Sequence, residues 1–555
     1  MWRTVLVGLG ALGVAGCSGT EPVTTDRMDT SVQTATQRVP KSLVVALDGA
    51  RADALRFAST PHFDSLADGS WAEGYGGAAT SAALTVPDGD TVSGPNHVAI
   101  MTGGLVAQTG VSSNDPTEMA AGRYADVPHY LSLLESANAD LGTAYLFTWA
   151  TDSFVACEAD VVALDVEEAN VDRILSMLDG TSTDPDWGEE QQPDALFVFF
   201  DFIDGTGHSE GFSLHVDAYV DALERGDALV GDLLEGIRSR PSFDAEDWQI
   251  VVTSDHGGYE TGHGGRGGHR ETIPFLISAI DMDSGVLPDG TRNLDVTPTV
   301  LSHFGVEVPA GLTGASRGQG ATPPAAVDLS TGLVAYYDFD ADLSDRMGGH
   351  DGMDGAGATI ETTDGKFGGH LSLSGHPSYV SLPEVDDLSF SADQAFTVAL
   401  WMRADAVLDG DPVVIGNKDW ASGLNPGWAI LANEGGDNAA GSNYGTGSDR
   451  LDVEMMDYAP LAWMFVAAVY RPGGVSVTYL GHEDSRLEWV GQMTALSGSL
   501  SSGYPIRIGQ DGTAAYPFDF SGDVDEVAIW RRALSHADVL ALHAEGSGVR
   551  VLDDR

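Results

Sequence analysis

Basic residues are scarce in this 555-residue chain, which has 27 lysines and arginines against 83 aspartates and glutamates and a formal net charge of -56. Lysine occurs only at Lys41, Lys366 and Lys418. So negative a surface repels nucleic-acid phosphates, which argues against sequence-independent nucleic-acid binding. Most of this charge is expected to form a solvated acidic surface, while a few carboxylates are available for divalent cations.

Cysteines and long apolar runs are also rare. The chain has two cysteines, Cys17 and Cys157. An apolar run over residues 5–16 is too short to span a bilayer but follows Arg3, as in a secretory signal. Residues 14–17 (VAGC) resemble a bacterial lipobox, in which the cysteine is lipidated. Lipidation would leave the other cysteine unpaired, so no disulfide within the chain is expected.

These features predict an exported lipoprotein of the bacterial outer membrane, periplasm or cell surface, attached to the membrane only through its lipid. Residues 1–17 are the predicted signal peptide. Residues 18–40 are rich in Thr, Asp, Ser and Gln, which indicates a flexible tether.

Three short apolar runs organise the next part of the chain, at residues 43–47, 196–200 and 250–252. Continuous runs of this length fit parallel strands that are buried on both faces. Ligands of open α/β sheets bind beyond the carboxyl ends of such strands. Each run leads into acidic residues or histidine there, namely Asp48, Asp201 with Asp204, and Asp255 with His256.

The pattern predicts an α/β domain over residues 41–314 and a linker rich in Gly, Ala, Thr and Pro over residues 315–330. Residues 331–548 then contain short strand-like segments with glycine- and aspartate-rich turns, which indicate an all-β sandwich.

Four segments of the α/β domain carry residues suited to metal chemistry. They are residues 47–53 (LDGARAD), 93–97 (SGPNH), 204–208 (DGTGH), and 255–258 (DHGG) followed by 262–265 (GHGG). In this order, they resemble the alkaline-phosphatase superfamily, particularly its type I phosphodiesterase/nucleotide pyrophosphatase branch. The resemblance covers about residues 41–314 and implies a central sheet flanked by helices.

The resemblance implies two divalent metal ions, which we expect to be zinc, although manganese or iron also suits these ligands. Asp204, His208 and His263 would hold one ion. Asp48, Asp255 and His256 would hold the other, with Ser93 bridging toward it. His269 is the alternative to His263. His263 is preferred because glycine-rich segments flank it, as in the final ligand segment of the family.

Ser93 is the expected nucleophile, and Thr91 is the alternative, placed too early relative to Pro95 and Asn96. Pro95 fits the first turn of a helix, whose N-terminus would attract a phosphate. A metal would lower the pKa of the hydroxyl. Asn96 would donate a hydrogen bond to a phosphate oxygen. His97 is expected to pack or hydrogen-bond locally.

Residues 331–548 resemble a laminin-G-like, concanavalin-A-like jelly roll. The matching segments are residues 365–369 (GKFGG), 396–401 (FTVALW) and 522–530 (GDVDEVAIW). The resemblance implies a carbohydrate or matrix ligand, with calcium as a further possibility, and a structural spacer is the equal alternative.

Together these features predict a phosphoester hydrolase, slightly favouring diesters because no Arg or Lys lies near Ser93 in the sequence. Arg51 and Arg266 are candidates for a monoesterase. One alternative is a surface binding protein with an inactive hydrolase domain. Another is a sulfatase-like hydrolase, disfavoured because His97 stands where the sulfatase pattern has Arg.

The lipobox makes a direct prediction. Cys17→Ser should move the protein from membranes to the soluble exported fraction, because the lipid is the expected membrane attachment. Fractionation followed by immunoblotting measures the shift, with Cys157→Ser as the matched control. Unchanged membrane partitioning of Cys17→Ser would exclude the lipid anchor.

Overall fold

The computed structural model describes most of the chain after its N-terminal segment. The described residues are 38–188, 190–265, 267–318, 321–323, 326–375, 377–432 and 438–552, and the predicted signal peptide, Cys17 and Arg266 lie outside them. In the described part of the chain, no helix combines the length and apolar character needed to cross a membrane.

An eight-stranded sheet forms the centre of the N-terminal part. Its strands are β1 (Val39–Leu47), β2 (Tyr75–Leu84), β3 (Gly142–Phe147), β4 (Val161–Leu164), β5 (Pro193–Phe200), β6 (Glu246–Ser254), β7 (Thr272–Ile280) and β8 (Gly285–Val286). Their order across the sheet is β4-β3-β5-β1-β6-β7-β2-β8. β1 pairs in parallel with both β5 and β6, and β6 pairs antiparallel with β7.

Helices cover both faces of this sheet. They are α1 (Ala52–Phe57), α2 (Pro61–Asp68), α3 (Ser93–Thr102), α4 (Val106–Thr109), α5 (Pro116–Ala120), α6 (Tyr130–Ala137), α7 (Glu167–Asp179), α8 (Phe202–Glu210), α9 (Asp217–Arg238) and α10 (Val296–His303). Alternate residues of β1 enter different cores, so Val45 packs on the α9 side and Val44 on the α3 side. Burial on both faces explains why β1 is continuously apolar, and the predicted α/β class is confirmed.

Two packed antiparallel sheets form the C-terminal part. Their strands are β9 (Leu333–Tyr337), β10 (Met353–Ala356), β11 (Thr359–Glu361), β12 (His370–Ser374), β13 (Tyr379–Ser381), β14 (Phe396–Ala404), β15 (Val413–Gly416), β16 (Gly427–Leu431), β17 (Ala439–Gly445), β18 (Arg450–Asp457), β19 (Met464–Tyr470), β20 (Val475–Gly481), β21 (Leu487–Met493), β22 (Arg507–Ile508) and β23 (Ser521–Trp530). A helix, α11 (His536–His543), follows β23. The orders are β10-β13-β22-β15-β16-β17-β18 and β11-β12-β23-β14-β19-β20-β21, with β9 beside β23. The predicted sandwich is confirmed.

The sandwich core lies between the two sheets. Trp428 from one sheet and Phe396 from the other meet there with ring centroids 5.6 Å apart. Burying such large aromatic side chains supplies much of the apolar area that stabilises a sandwich of short strands.

Two of the predicted domain boundaries can be compared with the structure. β1 begins at Val39, inside the predicted tether of residues 18–40. The predicted linker of residues 315–330 contacts the first domain, since the Arg317 side chain pairs with Asp295 at 2.7 Å. The boundaries themselves stay predictions.

The two domains meet around the buried carboxylate of Glu488 on β21. Its Oε2 accepts a hydrogen bond from Arg51 Nη2 at 2.9 Å, and its Oε1 lies 2.9 Å from His215 Nε2. Arg486 lies 2.6 Å from His215 Nδ1. A guanidinium can only donate, so His215 Nδ1 accepts and its Nε2–H donates to Glu488. This group therefore forms hydrogen bonds and ion pairs across the interface.

Apolar contacts extend the same interface. Ala52 and Leu84 of the first domain belong to a buried cluster whose other members include Phe465 and Trp489 of the second. The side chain of Thr272 also accepts a hydrogen bond from the backbone N–H of Gly491 at 3.0 Å. The sandwich is thus packed against the α/β domain through both apolar and charged groups.

Replacing Glu488 tests this interface. Burial opposes ionisation, but hydrogen bonds from His215 and neighbouring histidines and the Arg51 charge outweigh it and hold the pKa of Glu488 well below its ordinary value. Glu488→Gln should lower the free energy of unfolding at pH 7 by about 3 kcal/mol, as when a buried ion pair loses one partner. Because the pKa is depressed on folding, this difference should be complete above the unfolded pKa near 4.5 and shrink as pH falls below it.

Glu483→Gln is the matched control, because that half-exposed carboxylate pairs with Lys366 within the second domain and should change stability by less than about 1 kcal/mol. Denaturant unfolding from pH 3.5 to pH 7 measures both variants. Equal stabilities of Glu488→Gln and wild type at pH 7 would contradict the interface described here.

Candidate active site

Three neighbouring parallel strands deliver acidic residues to one edge of the first sheet. β1 ends directly before Asp48, and β6 ends directly before Asp255. β5 ends before Asp201, and α8 then carries Asp204. Because β1 lies between β5 and β6, these carboxyl ends meet in one place, as ligand sites in such sheets do.

Gly49 allows the closest approach at this edge. Its φ is +71°, and a Cβ at this position would lie 2.9 Å from the Cα of Asp204. Its backbone N–H also donates to Asp255 Oδ1 at 3.0 Å. Glycine is therefore required on both conformational and steric grounds, and it lets Asp48 and Asp204 share one site.

Asp204, His208 and His263 form the first of two adjoining groups, named here the first group. His208 Nε2 lies 3.3 Å from Asp204 Oδ2, and His263 Nε2 lies 3.6 Å from Asp204 Oδ1. The two Nε2 atoms are 3.0 Å apart. His208 follows Asp204 by four residues on α8, which places both side chains on one face of that helix.

Asp48, Asp255 and His256 form the second group. His256 Nε2 lies 3.1 Å from Asp255 Oδ2 and 3.5 Å from Asp48 Oδ1. All three side chains are almost completely buried. His256 also falls within 4.8 Å of Asp204 and His263 through their ligand atoms, so the two groups share a boundary.

All three histidines of these groups have the same orientation. The Nδ1 atoms lie 2.9 to 3.0 Å from backbone carbonyl oxygens, which belong to Thr261, Thr91 and Gly257 for His208, His263 and His256, respectively. A carbonyl can only accept, so each Nδ1 carries a proton and each Nε2 faces the carboxylates. Metal-binding histidines are oriented in this way.

The electrostatics of the site favour a bound cation. Burial and repulsion by Asp255 raise the pKa of Asp48 well above its ordinary value, and burial also raises that of Asp204. Burial lowers the pKa of His256, while burial and the neighbouring His256 lower that of His263 to about 4. The imidazoles of His256 and His263 are therefore neutral near pH 7, and they do not balance the charge of the buried carboxylates.

The donor atoms fit divalent metal ions. Asp48 Oδ1, Asp204 Oδ1 and Asp255 Oδ2 are buried oxygens without a hydrogen bond, and leaving such atoms unpaired is costly. Neutral imidazole and carboxylate are the ligand types of catalytic zinc, and of manganese or iron as well. The residues named from the sequence for two ions thus converge as two groups.

Ser93 lies beside the second group at the first residue of α3. Its side-chain oxygen is 3.3 Å from His256 Nε2, and the residue is 6% exposed. The N-terminus of α3 adds a positive dipole end to this place. Thr91 has its hydroxyl committed to the carbonyl of Gly265 at 2.7 Å.

Asn96 does not have the expected role. Its side-chain amide donates to the carbonyls of Asp90 and Val92, both at 2.9 Å, and its Oδ1 accepts from the backbone N–H of Val86 at 3.1 Å. The residue is completely buried. The prediction that Asn96 donates to a phosphate oxygen is therefore wrong, because both of its N–H groups hold the loop that precedes Ser93.

His269 and Arg51 point away from the two groups. His269 Nε2 lies 3.3 Å from Glu488 at the domain interface. The Arg51 guanidinium donates to Asp53, to Glu488 and to the carbonyl of Phe212. Of the two histidines considered for the first group, the structure brings His263 to Asp204.

Four further residues at the site were not identified from the sequence as functional. His97 and the buried Asp152 adjoin the second group. Asp201 lies among Asp48 and Asp204, and burial with repulsion from Asp204 raises its pKa to about 6. Asn114 Oδ1 accepts from the backbone N–H of Gly94, at the start of α3, at 2.7 Å. The position of Asp201 directly after an apolar strand is the sequence feature that could have identified it. The roles of His97, Asp152 and Asn114 depend on contacts with residues distant in the sequence, which no local pattern indicates.

Comparison with known families identifies both parts of the chain. Residues 42–265 match the family model of type I phosphodiesterase/nucleotide pyrophosphatase. Residues 374–540 match that of the concanavalin A-like lectin/glucanases superfamily. The chain thus carries a domain of the alkaline-phosphatase-like hydrolase superfamily, whose enzymes use divalent metals, followed by a concanavalin A-like domain. Both resemblances noted in the sequence are confirmed.

Curated relatives share a smaller region. A 2,3-bisphosphoglycerate-independent phosphoglycerate mutase from Clostridium perfringens is 28% identical over 132 residues, which are 23% of this chain and 24% of the relative. The corresponding enzyme of Haloquadratum walsbyi is 30% identical over 130 residues, 22% of this chain and 24% of the relative. The matched region thus spans about a quarter of these relatives.

Solved structures with similarity include enzymes of two kinds. A 2-O GAG sulfatase has 16% identity and a TM-score of 0.40, covering 54% of this chain and 77% of that one. Murine ectonucleotide pyrophosphatase/phosphodiesterase 5, in an inactive form with AMP, has 14% identity and a TM-score of 0.37, covering 49% and 96%.

Proposed function

We propose that this protein is an exported phosphoester hydrolase that uses Ser93 as nucleophile and two divalent metal ions, most suitably zinc. One observation carries the proposal: three imidazoles, each held at Nδ1 by a backbone carbonyl, turn Nε2 toward buried carboxylates beside a serine at a helix N-terminus. The family match over residues 42–265 supports the same reaction class.

In the proposed reaction, the Ser93 oxygen bonds to phosphorus while the bond from phosphorus to the leaving alcohol oxygen breaks. The resulting ester on Ser93 is then hydrolysed by water, which restores the hydroxyl. Bound metal ions would supply Lewis-acid stabilisation of the phosphoryl oxygens and lower the pKa of the hydroxyl. The α3 N-terminus orients the anionic group, and the backbone carbonyls hold the three imidazoles in one orientation.

A phosphodiester is the favoured substrate. A monoester brings a second negative charge, which calls for an additional cation near the nucleophile. Arg51 is occupied by Asp53 and Glu488, so it is unsuited to that role without rearrangement. The preference for diesters rests on these contacts of Arg51.

We also propose that the protein is a lipoprotein anchored through Cys17. A binding protein with an inactive hydrolase domain is disfavoured, because an inactive site has no need to keep both groups of ligands. The carbohydrate or matrix ligand and the calcium expected for the second domain stay predictions.

A panel of chromogenic esters tests the proposed reaction. The metal-loaded protein should show a higher kcat/KM for bis-(p-nitrophenyl) phosphate than for p-nitrophenyl phosphate. The kcat/KM for p-nitrophenyl sulfate should be the lowest of the three. Ser93→Ala should abolish turnover because the attacking oxygen is lost. Ser209→Ala is the matched control, since that exposed hydroxyl on α8 only donates to the carbonyl of Thr206.

Two outcomes would change the account. A preference of tenfold or more for the monoester, about 1.4 kcal/mol of transition-state stabilisation, would make the enzyme a phosphomonoesterase. Full activity of protein that a chelator has stripped of metal, verified by elemental analysis, would contradict the two-metal proposal.

A further inference from the structure

A tight turn over residues 259–262, named here the ligand turn, holds both imidazoles of the first group. The backbone N–H groups of its first and last residues donate to each other's carbonyl oxygens, at 2.9 and 3.1 Å. The carbonyl oxygen of Thr261, within the turn, lies 2.9 Å from His208 Nδ1. His263 follows the turn directly in the chain. The position of the ligand turn therefore decides where two of the three side chains of the first group lie.

The ligand turn depends on contacts made outside it. Glu260 has a φ of +50°, in the left-handed region that residues other than glycine rarely adopt. Such a conformation costs free energy and persists where the surrounding structure imposes it. One support comes from the first domain, where the backbone N–H of Phe212, just beyond α8, donates to the Glu260 carbonyl at 2.6 Å.

The sandwich supplies another support. The hydroxyl of Tyr259 donates to the carboxylate of Asp457, whose two oxygens lie 3.0 and 3.1 Å away. Asp457 is the last residue of β18. The Tyr259 ring also lies parallel to that of His269, with centroids 6.5 Å apart, and His269 faces Glu488 of β21. The first residue of the ligand turn is therefore tied to two strands of the second domain.

The contact between Tyr259 and Asp457 is suited to fixing a backbone. A hydrogen bond to an ionised carboxylate is stronger than one between neutral groups, and a tyrosine side chain has only two torsion angles. Fixing the hydroxyl therefore restricts the backbone at residue 259. Thr261 lies two residues further on, and its carbonyl orients the imidazole of His208. Groups that orient a ligating histidine typically change metal affinity by roughly 10–100-fold.

We propose that Asp457 is a positioning residue of the first group, acting through Tyr259, so that the sandwich completes the hydrolase site. The inference rests on the proposed two-metal function and deepens it, because it gives the second domain a part in metal binding. It affects the two positions unequally, since none of the three residues of the second group belongs to the ligand turn. Breaking the contact should therefore weaken the ion of the first group and spare the other.

Metal titration of the full-length protein tests this inference. Apo protein is titrated with Zn²⁺ against a chromogenic chelator, and the Co²⁺ form is followed by its visible absorption. His208→Gln identifies which of the two equivalents the first group binds. Asp457→Ala and Tyr259→Phe each remove the same indirect support, so each should weaken that equivalent by about fivefold, less than the loss of a direct partner, and change the other by less than about twofold.

Two further variants separate positioning from charge. Asp457→Asn keeps an acceptor for the Tyr259 hydroxyl but removes the charge, so its affinity for the first equivalent should stay within about twofold of wild type. The double variant Asp457→Ala/Tyr259→Phe should lose no more affinity than either single variant, because both changes break one contact. Additive losses, or a loss in Asp457→Asn equal to that in Asp457→Ala, would overturn the inference.

Asp449→Ala is the matched control, because that exposed carboxylate accepts hydrogen bonds from Ser497 within the second domain. It should leave both metal affinities unchanged. Wild-type affinity for the first equivalent in Asp457→Ala would overturn the inference and leave the proposed function intact. Wild-type protein that binds no metal would overturn both.

Hydrogen exchange gives a readout that needs no metal. The backbone N–H of Gly262 donates to the carbonyl of Tyr259, so its exchange reports opening of the ligand turn. In apo protein, mass spectrometry of a peptide containing residues 259–262 should show exchange about fivefold faster in Asp457→Ala and Tyr259→Phe than in wild type, with Asp449→Ala unchanged. Equal exchange in all four proteins would show that the sandwich does not hold the turn, and would overturn the inference.

Discussion

The buried negative charge at one edge of the first sheet is the constraint on which the rest of the structure depends. Three adjacent parallel strands deliver Asp48, Asp255 and the segment carrying Asp204 to the same place. Water cannot solvate these carboxylates, and ionised groups without a partner are costly in the interior. The imidazoles of His208, His256 and His263 face these carboxylates, and divalent cations are the compensating charge in the proposed function.

The second domain takes part in that construction. Glu488 of β21 reaches Arg51, three residues beyond Asp48, and the same guanidinium holds Asp53 and the carbonyl of Phe212. The loop that carries Asp48 is thereby tied to the sandwich. This contact gives the sandwich a structural role, independent of any ligand that its own surface binds, and it removes Arg51 from the residues facing substrate.

The fold and most of the proposed ligands could be predicted because their signals are local. The continuous apolar run of residues 43–47 predicts a strand buried on both faces, and its end predicts where Asp48 lies. The neighbours Asn96 and His97 show where such reasoning stops. Their roles depend on partners distant in sequence, since Asn96 is held by the loop at Val86 and also by Asn293, and His97 is held by Asp152. No local pattern reports those contacts.

Anomalous diffraction at the zinc edge from crystals of the full-length, zinc-loaded protein tests the central claim most directly. The account predicts two anomalous peaks per chain. One should touch Asp204, His208 and His263, and the other should touch Asp48, Asp255 and His256, with Ser93 beside it. The absence of zinc from these two groups, or a peak found only at His269 and Glu488 between the domains, would contradict the account.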